Sequence, residues 1–262
     1  MSKQHSPTGA GEVQVGILYG HGINADRELG TAFQAAGGSV QRISVKHAVE
    51  NPDVLDRIDI LGFPGGFSFG DHLGSGLVLA QWIRTSLRPA IERLIDRGGL
   101  VLGICNGFQV LVKMGLLPNL DGDWNPSVSL VHNDSGRFID TWVPVEWSSS
   151  SRSPWLQQLP AMMLPIRHGE GRFTAASEEV LQQVSDDCVA LRYRENPNGS
   201  VDNIAGITDR TGRVLGLMPH PEAFIRMTQH PQWQRLQRAG ADAGIFPTGL
   251  ELFRNGIKAI HR

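Results

Sequence analysis

The chain has 262 residues, 40% of them hydrophobic, with 24 lysines and arginines against 26 aspartates and glutamates and a formal net charge of −2. That length can bury a substantial core, and the near-neutral charge argues against nucleic acid or an anionic membrane as the main partner. Apolar runs are only strand-long, so no membrane-spanning helix is expected; residues 1–12, MSKQHSPTGAGE, lack a secretory hydrophobic stretch and read as a polar tail. The two cysteines, Cys105 and Cys188, lie far apart, which fits a reducing cytoplasm better than a disulfide framework.

In chain order, VQVGILY (13–19) reads as a buried strand, and ADRELGTAFQAAGG as a helix stopped by Gly37–Gly38. SVQRISV (39–45) is a second strand, and IDILGFPGG (58–66) a third that runs into a glycine turn. PAIERLIDRGG (89–99) carries Pro at its start, Ile91, Leu94 and Ile95 at helical spacing, and glycines at its end. LVLGI (100–104) is a fourth, wholly apolar strand, and NGFQVLVKMG a helix after it. Apolar strands that alternate with helices predict an α/β fold: an open, mostly parallel sheet with helices on both faces. The second half is richer in strands: SVSLVH, RFIDTWVPVEW, AMMLPIRH, CVALRYR, NIAGITD and RVLGLMPH, several of them expected to be antiparallel. SSSSRSPW (148–155) reads as a surface loop, and TGLELFRNGIKAIH (248–261) as a closing amphipathic helix. Residues 13–262 are taken as one domain.

The stretch LVLGICNGFQVL raises a chemical question. A buried strand reaches Ile104, Cys105 follows, and a helix begins at once. Such a turn sits above the carboxyl end of the sheet, where open parallel sheets bind ligands. Gly103 and Gly107 relieve the bend, and the helix N-terminus favours a thiolate. On this stretch alone, a nucleophile and a small buried hydrophobe both remain open.

A thiol nucleophile needs a base, and the base an orienting group. The chain has nine histidines. Of these, His47, His72 and His132 have the company of surface or capping residues. His220 differs. It follows the apolar run 214–218 and stands between Pro219 and Pro221 in MPHPE. A residue before proline favours extended backbone, so His220 and Glu222 are expected to project to one side, the carboxylate fixing the imidazole tautomer. The glycine turn at Gly65–Gly66 could aim a backbone amide at an oxyanion beside that of Asn106, or simply turn the chain. No Walker loop and no G-x-G-x-x-G after a strand occurs.

These residues resemble the class I glutamine amidotransferases, which use a Cys-His-Glu triad. FPGGFSFGDHLGSG, VHNDSGRF, PIRHGEGRF and NPNGSVDNIAGI…GRVLGLMPHPE, in this order, are similar to the glutaminase components of phosphoribosylformylglycinamidine synthases, over about residues 13–222. The resemblance implies a flavodoxin-like glutamine amidotransferase fold with additional antiparallel strands. It implies Cys105 as nucleophile, His220 as proton shuttle and Glu222 as its orienting group. Backbone N–H groups of Gly66 and Asn106 would hold the oxyanion. Gln109, Asn133 and Ser135 would bind substrate, the last two at its amino-acid end or at a docking surface, and the HGEGRF stretch would face a partner. L-glutamine would give glutamate and ammonia through a thioester. No cofactor is implied in this chain; ATP and Mg are expected on a synthetase partner that converts formylglycinamide ribonucleotide, with a small bridging subunit left open. The pattern departs at His21, where the family has proline, although Asn24 and Asp26 are kept, and residues 223–262 match weakly. Two other readings stand beside this one: a peptidase or deglycase of the same fold, and a non-catalytic regulatory subunit. The HPE triplet argues against the first, the intact triad against the second.

Overall fold

The computed structural model describes residues 11–149, 151–240 and 246–260. The first half alternates as its apolar runs predict. Strand β1 (Gln14–Tyr19) leads through helix α1 (Asp26–Ala35) to β2 (Ser39–Ser44), and α2 (Val45–Glu50) leads to β3 (Ile60–Phe63). Helix α3 (Leu77–Asp96), β4 (Leu100–Ile104) and α4 (Asn106–Lys113) follow. Every residue of β3 and β4 is buried, the signature of central strands covered on both faces.

The second half adds β5 (Val128–Val131), β6 (Ile139–Trp147), β7 (Met162–His168) and β8 (Arg172–Ala175). Then come α5 (Glu178–Asp187), β9 (Val189–Tyr193), β10 (Ile204–Thr208), β11 (Val214–Leu217), α6 (Trp233–Arg238) and α7 (Leu250–Ile260). Nine strands form one sheet in the order β2-β1-β3-β4-β11-β10-β9-β6-β7. From β2 to β11 the neighbours are parallel; from β11 to β7 they are antiparallel. This is the mixed α/β sheet expected, with its antiparallel extension. β5 leaves it and pairs with β8 in a separate ribbon.

Several boundaries differ from the sequence reading. Helix α3 starts at Leu77, so Pro89 lies inside it rather than at its head. Proline forfeits one helical hydrogen bond, but Leu87, Ala90 and Ile91 around it are buried, and their packing holds the helix together. Val45 opens α2 instead of ending β2. Helix α5 was not anticipated: Ser177 caps it, accepting from the Val180 N–H at 3.3 Å, but Val184 alone among its residues is buried, so its apolar stripe is faint. The loop at 148–155 holds a short 3₁₀ turn, Pro154–Leu156, with Ser150 outside the described residues. His261, the expected end of the last helix, and residues 1–10 of the expected tail also lie outside them.

Two groups of helices pack on the sheet: α1 with α7, and α3 with α4. The first group is joined by aromatic rings, with Phe33 and Phe253 centroids 5.0 Å apart and Phe33 and Trp155 6.4 Å apart. Beyond β11, Phe224 packs edge-on to Trp142 of β6, at 5.1 Å, and against His230 and Phe246. So residues after 222, weak in resemblance, are anchored here by aromatic burial.

The register places the chemistry. Phe63 of β3 pairs with Gly103 of β4, and Leu217 of β11 with Ile104. Three neighbouring parallel strands thus end together. Their exits converge on one point: the Pro64–Gly66 turn leaves β3, Cys105 leaves β4, and the Pro219–Glu222 segment leaves β11.

Candidate active site

Cys105 is the residue between β4 and α4, with φ 52° and ψ −108°. Positive φ is strained for a residue with a side chain, and such strain persists only where the surroundings over-determine it. Here the Cys105 N–H donates to the Leu217 carbonyl at 2.8 Å, and its own carbonyl accepts from the Gln109 N–H at 3.0 Å. The helix can turn so sharply because glycine lets it sit close to the sheet: a Cβ on Gly107 would fall 1.9 Å from the Phe63 carbonyl oxygen. The thiol itself is buried, 6% exposed, and donates to the Arg167 carbonyl oxygen at 3.5 Å.

His220 reaches the same point from β11. Its N–H donates to the Pro165 carbonyl at 2.8 Å, which ties the segment to β7. The expected extended backbone does not continue to Glu222: Pro221–Ala223 forms one 3₁₀ turn. The two side chains meet across this turn, His220 Nδ1 to Glu222 Oε1, at 2.6 Å. This contact sets the tautomer. Nδ1 carries the proton given to the carboxylate, and Nε2 is left without a hydrogen-bond partner among the described residues. Burial alone would lower the pKa of this ring. The charges of Glu222 and Cys105, with the hydrogen bond to Glu222, outweigh that and hold it up at about 10. The thiol is therefore within electrostatic reach of the ring although its resting hydrogen bond goes elsewhere.

Gly65 stands close to both side chains. A Cβ there would lie 3.1 Å from His220 Cε1 and 3.6 Å from Cys105 Cβ. Gly66 has φ 150°, and faces Ile23 in an isolated antiparallel bridge. The bonds flanking that bridge run from Phe67 N to Gly22 O, at 2.8 Å, and from Asn24 N to Gly65 O, at 3.2 Å. This is the pairing in which the facing residues exchange no hydrogen bonds, so the Gly66 N–H keeps its capacity to donate. The Asn106 N–H, first in α4, lacks a helical partner in the same way.

A cleft of about 380 Å³ opens over these groups, lined by Asn24, Glu28, Gly66, Phe67, Cys105, Phe138, Arg167, His220 and Glu222. The sequence profile of the CobB/CobQ-like glutamine amidotransferase domain matches residues 12–259. A phosphoribosylformylglycinamidine synthase subunit PurQ of Dehalococcoides mccartyi is 38% identical over 257 residues, covering 94% of this chain and 97% of that protein. The chain belongs to the PurQ family of glutamine amidotransferases.

Other PurQ proteins agree, among them that of Cereibacter sphaeroides, 41% identical over 236 residues, which cover 89% of this chain and 92% of that one. The fold agrees as well: a chain of the PurLQS structure from Thermotoga maritima superposes with a TM-score of 0.72 at 29% identity, covering 94% of this chain and 98% of that one.

The residues that the PurQ resemblance singled out divide into two groups. Cys105, His220, Glu222, Gly66 and Asn106 come together at the cleft. Gln109, Asn133 and Ser135 do not line it. Gln109 is buried behind the wall, its Oε1 accepting from Asn106 Nδ2 at 2.9 Å and its Nε2 donating to the Glu170 carbonyl at 2.5 Å. Asn133 is buried too: Nδ2 donates to the carbonyls of Arg137 and His168, both at 2.8 Å, while Oδ1 meets His168 Nδ1 at 3.0 Å and the Gly171 N–H at 3.2 Å. The resemblance places Asn133 at the substrate's amino-acid end or at a docking surface; here its buried amide ties Arg137 to the 168–171 turn. Ser135 is exposed and accepts from the Arg137 N–H at 3.3 Å. HGEGRF does not face outward as a unit either, since His168 is 3% exposed. Burial and then the charge of His220 push its pKa down to about 4. Sequence reasoning missed Glu28, Phe138 and Arg167. Phe138 and Arg167 lie within the VHNDSGRF and PIRHGEGRF stretches, and Glu28 lies on α1 shortly after Asn24 and Asp26.

Proposed function

We propose that this chain hydrolyses the side-chain amide of L-glutamine to glutamate and ammonia. The observation that carries the reading is the meeting, under one cleft, of a strained buried thiol with a histidine whose Nδ1 lies 2.6 Å from a buried carboxylate. The Cys105 thiolate attacks the amide carbon, and the N–H groups of Gly66 and Asn106 receive the oxyanion. His220 passes its Nε2 proton to the leaving nitrogen, so ammonia departs and a γ-glutamyl thioester remains. Water, deprotonated by His220, then cleaves the thioester, which releases glutamate and returns the thiol. Glu222 keeps the ring oriented and supports its charge throughout. Arg167 and Glu28, on the wall of the same cleft, supply the opposite charges that the carboxylate and ammonium of a free amino acid require.

The ammonia is delivered to a synthetase subunit that turns formylglycinamide ribonucleotide into formylglycinamidine ribonucleotide in purine synthesis. ATP and Mg belong to that subunit, and the place of work is the cytoplasm. The PurQ relatives and the PurLQS assembly of the Thermotoga protein support this partner and a small bridging subunit with it. Among the described residues no helix is long and apolar enough to cross a membrane.

The test is glutamate release from glutamine by the purified chain, alone and then with the synthetase, its ribonucleotide and ATP·Mg. Release that rises sharply in the complex is expected. A folded, reduced chain that yields no glutamate in either setting would overturn the glutaminase reading in favour of a regulatory subunit.

A further inference from the structure

Helix α4 carries a buried carboxamide whose bonds run away from the cleft rather than into it. Asn106 is 1% exposed. Its Oδ1 accepts from the backbone N–H of Ser68 at 3.1 Å, and its Nδ2 donates to Gln109 Oε1 at 2.9 Å. Gln109 Nε2 then donates to the Glu170 backbone carbonyl. A backbone donor closes one end of this chain and a backbone acceptor the other. Neither amide can therefore be flipped without leaving two buried groups facing like partners, so the polarity is fixed.

The position of the Ser68 anchor matters. Ser68 stands two residues after Gly66, in the turn that presents the free Gly66 N–H, whereas Asn106 presents the other free N–H from its own backbone. Resting on the proposed glutaminase reading, we infer that the Asn106 side chain is a positioning residue: it clasps the Gly66–Ser68 turn to the start of α4 and so sets the spacing of the two oxyanion donors. Backbone bonds from Phe67 N–H to the Gly22 carbonyl and from Phe69 N–H to the His21 carbonyl tie the turn to the 20–24 segment, and the carboxamide ties it to α4. Gly66 is at φ 150° and Phe69 at φ 58°, and between them Phe67 is 45% exposed while Ser68 is buried. Without the carboxamide, the Ser68 N–H is buried and unpaired, and the turn loses this tie to α4. The donor at Gly66 then moves off the oxyanion, while the thiol, His220 and Glu222, on other strands, stay in place.

The experiment compares the wild-type chain with Asn106→Ala in the synthetase complex, using Asn106→Ser as the second variant if the first is insoluble. Neither substitution removes a backbone N–H. Glutamine hydrolysis should lose on the order of 10²-fold in kcat, the scale of a misplaced oxyanion donor, with KM for glutamine within a few-fold. Affinity for glutamate γ-semialdehyde, which adds to the thiolate and places an oxyanion in the same hole, should fall by a similar factor. Alkylation of Cys105 by iodoacetamide builds no oxyanion and should keep its wild-type rate. A kcat within threefold of wild type would overturn the inference. So would a parallel loss of alkylation, which would mean that the carboxamide merely supports the thiol or the fold. A wild-type complex that neither releases glutamate nor binds the semialdehyde would overturn the glutaminase reading itself, and this inference with it.

Discussion

His220 Nδ1 and Glu222 Oε1 stand 2.6 Å apart with both side chains almost sealed from water, at 6% and 1% exposed. The pair is what allows a buried imidazole to stay charged. Burial opposes the charge, the carboxylate and thiolate favour it, and the balance leaves the ring's pKa at about 10. Through the neutral range the ring can keep its charge beside Cys105.

Glu222→Gln should therefore lower the pKa of His220 and free its ring to turn away from Cys105. Glutamine hydrolysis should drop roughly 10–10³-fold, less than on loss of the nucleophile, because the carboxylate orients rather than reacts. Iodoacetamide labelling of Cys105 at neutral pH should slow in the same variant. Losses equal to those of Cys105→Ala would mean that the carboxylate does more than orient.

Cys105→Ala should abolish glutamine use and leave ammonia-dependent synthesis by the partner complex intact. Steady-state assays with glutamine and with an ammonium salt separate the two. Loss of both activities would assign Cys105 to folding or assembly.

Gly65→Ala tests the room beside His220 and Cys105. Its Cβ would press on the His220 ring from 3.1 Å, tighter than ordinary contact. Turnover should fall on the order of 10-fold or more with little change in thermal midpoint, since the push is on one ring rather than on the core. Unchanged turnover would show that the ring has room to spare.

His168 sets an acid limit to stability. Its ring is held neutral in the fold, its pKa pushed down to about 4 by burial and by the charge on His220. The unfolded ring titrates near 6.5, so between these values the unfolded state binds more protons, and stability falls as pH drops through that window. The contribution is roughly 2–3 kcal/mol. Urea unfolding at pH 7 and at pH 4 should show a smaller gap in His168→Gln than in wild type. An equal gap would place the acid sensitivity elsewhere.

The sheet was legible because β3 and β4 are short apolar runs, and Cys105 stood out as a candidate nucleophile because it follows one of them directly. The His220–Glu222 pair was legible from the prolines around it, though by the wrong local geometry. A turn, rather than an extended segment, brings the two side chains together. What sequence concealed was direction. Gln109 and Asn133 are polar residues in signature motifs, and motif membership says nothing about whether an amide faces a cleft or braces the loop behind it. Arg167 was hidden for the opposite reason. It sits in a β-strand among buried residues, and its carbonyl and side chain reach Cys105 and the cleft only through the antiparallel half of the sheet.

In the proposed mechanism Cys105 is the group that glutamine meets. The direct measurement is peptide mapping by mass spectrometry after treating the reduced chain, in complex with its synthetase, with 6-diazo-5-oxo-L-norleucine, a glutamine analogue that alkylates the attacking thiolate. One adduct is predicted, on Cys105, protected by excess glutamine. Cys188 should stay unmodified, since burial and its acidic neighbours push its thiol up to about 12. No adduct on Cys105, or equal modification of both cysteines, would contradict the account.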